Sequence, residues 1–131
     1  IEIRSLDTCE WDCHCSGPAF YTGLLYGNIN EALEIINKWK TVDVINAYID
    51  APIKGFKTII ANKTLLEWGH IFLNLSKAGL IKRSIKNKNG KDESIFLQNI
   101  ESILYRKSNK AMNTINKFKR FDNLDFLYEK L

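Results

Sequence analysis

The chain has 131 residues, 45% of them hydrophobic and 26% charged, which suits one soluble domain with a real core and excludes a disordered chain. Its formal charge of +4 is uneven: residues 1–65 hold six Lys/Arg against eight Asp/Glu, and residues 66–131 hold thirteen against seven. No apolar run reaches the roughly 18 residues of a membrane span and no secretory signal is visible, so a cytoplasmic protein with no membrane partner is expected.

In chain order, Ile1, Ile3 and Leu6 predict a short opening strand. Ser16-Gly17-Pro18 reads as a helix entry, with the proline near the first turn where its missing N–H costs nothing, and Gly27 reads as that helix's stop. Asn28 and Glu31 have capping-box spacing before Ala32, Leu33, Ile35, Ile36 and Trp39, which share one helical face. Thr41 predicts the cap of a short third helix with Val42, Val44, Ile45, Tyr48 and Ile49 as its apolar positions, ended by Pro52. Between Ala51 and Asn62 the pattern is undecided, Gly55 permitting a turn and Phe56 to Ile60 fitting a strand or a helix entry.

The strongest local signal follows. Thr64 and Glu67 form a T-x-x-E capping box before Leu65, Leu66, Trp68, Ile71, Phe72, Leu73 and Leu75, and Gly79 is the expected left-handed stop with Leu80 packing back on Leu75. Ile81 to Ile85 alternates as a strand, Lys86-Asn87-Lys88-Asn89-Gly90 is a turn closed by Asn-Gly, and Ser94 to Leu97 returns as a second strand. The remainder is helical: Ile100, Ile103 and Leu104 share a face, Ser108 or Asn109 caps a helix through Phe118, and Asp122 with Asp125 opens a last one.

Cys9, Cys13, His14 and Cys15 form the one constellation with metal-ligand chemistry, since thiolates and imidazole suit zinc and Cys-x-Cys can hold a cuprous ion. No second ligand pair exists elsewhere, so Cys9, Cys13 and Cys15 are weak candidate ligands and small buried thiols are the simpler expectation. Three cysteines in seven residues are no disulfide framework, which favours a reduced interior, with oxidation between two of them the remaining alternative. No phosphate-binding glycine loop, G-x-S-x-G or H-E-x-x-H occurs, so neither an enzyme nor a cofactor is expected. His70 reads as a partly buried or groove-facing helix residue.

The order helix, short helix, longer helix, hairpin resembles the winged helix-turn-helix. Thr41 to Ile49 looks like the second helix of many bacterial and archaeal regulators, and Gly69 to Arg83, ending Leu75-Ser76-Lys77-Ala78-Gly79-Leu80-Ile81-Lys82-Arg83, looks like a recognition helix passing into a wing. The resemblance implies a mainly α fold with a small β-hairpin: an N-terminal extension with the cysteines over 1–28, a winged-helix-like core over 29–97, and C-terminal helices over 98–131 for packing or homodimerisation. It also implies DNA binding and transcription regulation.

Under that reading Lys63, Thr64, His70 and Asn74 face the groove, while Lys82, Arg83, Lys86, Lys88 and Lys91 contact phosphates. Two features depart from the pattern. A dozen residues with Pro52 and Gly55 replace the usual tight turn, and Glu67 on the reading face would repel phosphate. A protein-binding adaptor, inhibitor or immunity-type protein using the same fold is therefore the alternative. Only four of the nineteen cations are Arg, so the basicity also reads as compositional.

Overall fold

A computed structural model describes Ile3, residues 11–121, Asn123 and Asp125. The predicted opening strand and most of the predicted last helix lie outside the described residues. Among the described residues the fold is mainly helical with one two-stranded antiparallel hairpin. Its elements are α1 (Ser16–Thr22), a π-helical turn (Gly23–Gly27), α2 (Ile29–Ile36), α3 (Thr41–Lys54), β1 (Ile59–Ile60), β2 (Lys63–Thr64), α4 (Leu65–Arg83), α5 (Gln98–Arg106) and α6 (Lys110–Phe121). Short 3₁₀ turns occupy Trp11–Cys13, Gly55–Lys57 and Glu93–Leu97.

The central element is α4, and its start is fixed locally. The Thr64 hydroxyl accepts from the Glu67 backbone N–H at 3.2 Å while the Thr64 N–H donates to the Glu67 carboxylate at 2.8 Å, the reciprocal capping box the sequence spells. Its end differs from expectation. The helix runs straight through Gly79 to Arg83, and Ser84 takes the left-handed cap at φ 54°. Gly79 serves a different need: a methyl group there would overlap the Gly23 carbonyl, and one on Gly27 would overlap Gly79. Three glycines thus let the Gly23–Gly27 turn lie directly on α4. The Ser76 hydroxyl donates to the Phe20 carbonyl at 2.8 Å across the same crossing. Leu80, expected at a helix stop, is instead fully buried in the core.

Because α4 consumes residues 81–83, the predicted strand over 81–85 does not form. The predicted partner strand over 94–97 is a 3₁₀ turn, started by the Asp92 side chain accepting from the Ser94 N–H at 2.9 Å and burying Leu97 completely. A single antiparallel bridge, Lys86 to Asp92, is what remains of the expected wing hairpin. The hairpin that does form precedes α4: Ile59 pairs with Thr64 and Ile60 with Lys63 around Ala61-Asn62. Both turn residues have positive φ, 46° and 65°, as a two-residue turn matching strand twist requires.

Two further boundaries shift. Pro52 lies inside the last turn of α3 rather than ending it, and Gly55, at φ 54°, is the stop. Asn28 precedes α2 without capping it, because its side-chain amide donates to the Leu75 carbonyl at 2.8 Å. The expected cap at Asn109 does form, its side chain accepting from the Met112 N–H at 2.8 Å.

The core gathers Ala19 of α1, Leu73 and Leu80 of α4, Leu97 and Leu104, with Phe20, Phe56, Leu66 and Ile100 packed around it. Residues of the expected N-terminal extension and of the expected C-terminal helices therefore share one apolar cluster with α4. Beside it, the Trp39, Trp68 and Phe72 rings meet edge to face and tilted at 5.0–6.0 Å, and the Trp68 indole N–H donates to the Ile60 carbonyl at 2.8 Å.

Candidate functional site

The residues expected to touch nucleic acid fall into separate groups. Lys63 and Thr64 sit at the start of α4, and Lys82, Arg83 and the loop bearing Lys86, Lys88 and Lys91 sit at its end. Nineteen residues at 1.5 Å each separate the two groups by roughly 28 Å. His70 and Asn74 lie one turn apart on the exposed side of the helix between them.

Several of these side chains are engaged by the protein itself. The Thr64 hydroxyl belongs to the capping box and donates to the Glu67 carboxylate at 2.7 Å. Arg83 donates from Nε to Glu93 at 3.1 Å with both side chains largely shielded, and its guanidinium lies 6.0 Å from the centre of the Tyr26 ring. Lys82 Nζ is 3.5 Å from the Gly27 carbonyl.

Lys86, Lys88 and Lys91 are exposed on the loop after α4. That loop is organised by Asn87, whose side-chain oxygen accepts from the N–H groups of Asn89 at 2.9 Å and Lys91 at 3.1 Å. Hydrogen bonds from Ser94 hold the Asp92 carboxyl below its usual range, with the nearby Lys86 charge adding to the effect.

The cysteine cluster is corrected. Cys13 is buried and disulfide-bonded, Cys15 is free and exposed, and Cys9 lies outside the described residues. A disulfide sulfur offers no thiolate to a metal, so Cys13 leaves the candidate ligand set, and the expectation of reduced thiols fails at that position. Among the described residues no three His, Cys, Asp or Glu side chains gather as a metal site. No helix among them is long and apolar enough to cross a membrane.

Two surface features were not predicted. A shallow cleft of about 300 Å³ is lined by Ser16, Ile95, Phe96, Gln98, Asn99 and Ser102. More prominent is α3. Its predicted apolar positions Val42, Val44, Ile45, Tyr48 and Ile49 all face water, as does Ile53 past the predicted end, and Ala47 is its buried residue. Helical periodicity reveals an apolar stripe but not whether the fold covers it, so no sequence signal separates the two cases.

The capping box gives a direct stability prediction. Glu67 titrates below its usual range, chiefly through its backbone and side-chain hydrogen bonds to Thr64. A depressed folded-state value means the contribution is present above the ordinary glutamate range and is lost as pH falls through the folded value. Thr64→Ala is expected to cost about 1 kcal/mol in urea unfolding at pH 7. The smaller deficit of Glu67→Gln should fade in the same assay as the buffer is taken below pH 4.

Comparison with known proteins yields one group of relatives. No family model matches the chain, and no solved structure matches it. The chain is 27% identical over 106 residues to the chloroplastic glutamate–cysteine ligase of Arabidopsis thaliana, covering 79% of this chain and 19% of that protein. It is 26% identical over 106 residues to the chloroplastic glutamate–cysteine ligase A of Oryza sativa subsp. indica, covering 79% and 20%. With the chloroplastic ligase of Brassica juncea it shares 30% over 88 residues, covering 66% and 17%. A stretch of 79% of 131 residues necessarily contains α3 and α4, whichever end it omits. The chain spans about a fifth of the length of the curated relatives it matches.

Proposed function

We propose that this chain is a helical packing module of a ligase of the glutamate–cysteine type, and that it contributes scaffold to an enzyme larger than itself. The observation that carries this reading is the likeness to the ligases over a stretch that must include α4, the helix on which the core is built. A module of this kind needs rigid internal packing, which the glycine crossing supplies, and outward surface for its neighbours.

The test is a chimera. The matched stretch of the Arabidopsis thaliana ligase is replaced by the corresponding residues of this chain and compared with the same enzyme lacking the stretch. Joining of glutamate to cysteine is expected within about tenfold of the parent for the chimera and to be absent from the deletion. A chimera no better than the deletion refutes the reading.

A second reading, a DNA-binding regulator that contacts phosphates through the loop after α4, is favoured by one observation: Lys86, Lys88 and Lys91 stand exposed on an ordered loop with no acid before Asp92. It expects mixed duplex fragments to shift at low salt, and the shift to weaken in Lys86→Ala with Lys88→Ala. Absence of any shift at low salt ends it.

A further inference from the structure

We infer that the apolar stripe of α3 is the surface by which the module seats on the remainder of a glutamate–cysteine-type ligase, an inference that rests on the reading above. Val42, Ile45, Ile49 and Ile53 follow one another at spacings of three and four residues, which aligns them along one side of the helix. They are 57%, 54%, 63% and 84% exposed, and Tyr48 beside them is 83% exposed. Together the five leave on the order of 600 Å² in contact with water, the upper end of what a monomer's largest apolar patch reaches and most of one side of a standard protein interface.

The border of the stripe selects the kind of partner. The charged residues of α3 and its N-cap, Lys40, Asp43, Asp50 and Lys54, cancel in charge, and Lys54 is paired with Asp50 at 2.6 Å. Such a face sets up no field that would draw a polyanion or an anionic membrane. Its chemistry fits an apolar protein surface. The occupant follows from extent: the stretch shared with the ligases includes α3, and those proteins continue for about four-fifths of their length outside it. That protein mass is what covers the stripe.

The experiment sets the chimera with native α3 beside one carrying Ile45→Asp and Ile49→Asp, reading soluble yield and ligation of glutamate to cysteine. In parallel, the 131-residue chain with and without the two substitutions is followed by circular dichroism and sedimentation velocity. The native chimera is expected to be soluble and active, and the aspartate chimera to lose at least tenfold in soluble activity. The isolated chains should keep equal helix content and sediment as monomers. Should the aspartates lower the helix content of the isolated chain, Ile45→Ser with Ile49→Ser serves for the same comparison.

Equal activity of the two chimeras overturns the docking surface and leaves the ligase reading standing. An inactive native chimera removes the ligase reading and the occupant with it. A dimer of the isolated chain that the aspartates dissociate gives the stripe to a second copy instead, and overturns the inference.

Discussion

Gly79→Ala is expected to destabilise this protein by about 3 kcal/mol or more, although intrinsic propensity alone favours alanine in a helix interior by about 1 kcal/mol. The sign is decided by what the added methyl meets. It would overlap the carbonyl oxygen and carbon of Gly23, and these are backbone atoms that no rotamer change can move aside. Relief requires α4 to separate from the Gly23–Gly27 turn, loosening the Ser76 to Phe20 hydrogen bond and the core beneath it. For a domain of this size the melting temperature should fall by roughly 10 °C or more, read by calorimetry or circular dichroism.

Gly90→Ala is the informative control. That glycine also has a special conformation, φ 75°, but nothing lies within 4 Å of the added carbon, so a cost of about 1 kcal/mol is expected. Equal effects at the two positions would show that the close crossing is not what Gly79 is for.

Leu80→Ala should cost about 2–5 kcal/mol, the range for emptying a leucine site in a packed core. Leu80 is fully buried in the cluster with Ala19, Leu73, Leu97 and Leu104. The matched comparison is Ile53→Ala, which also removes a branched aliphatic chain from a helix but at a site 84% exposed, and which should stay within about 0.5 kcal/mol. Urea unfolding of the isolated chain measures both. A large loss at Ile53 would mean that α3 is already covered in the isolated protein, which would also remove the basis for docking through its stripe.

The capping box at Thr64 and Glu67 was legible because all its atoms lie within four residues. The same is true of Asn109 before α6 and of the mainly helical class. The Gly79 stop was misread because glycine has two uses, a left-handed cap and a close approach, and both arise from the same missing Cβ. Which one applies depends on Gly23 and Gly27, more than fifty residues away.

The wing hairpin failed for a related reason. Alternation over Ile81 to Ile85 is too short to outweigh continuation of a well-started helix, and burial of Leu97 favours the 3₁₀ turn that Asp92 begins. The true hairpin turns on Ala61-Asn62, a pair with no strong turn signature, and β1 is tied to α4 by the Trp68 indole N–H on the Ile60 carbonyl.

The sequence by itself determined where α4 and α6 begin, that an apolar core exists, and that cations concentrate in the second half, because caps, periodicity and charge are local properties; the caps it offered at Asn28 and Thr41 do not form. Tertiary structure decided where α4 ends and that the groups at its two ends lie roughly 28 Å apart. It also decided that the apolar side of α3 faces water. Each of these turns on which distant residues share a surface, and spacing along the chain carries no record of that.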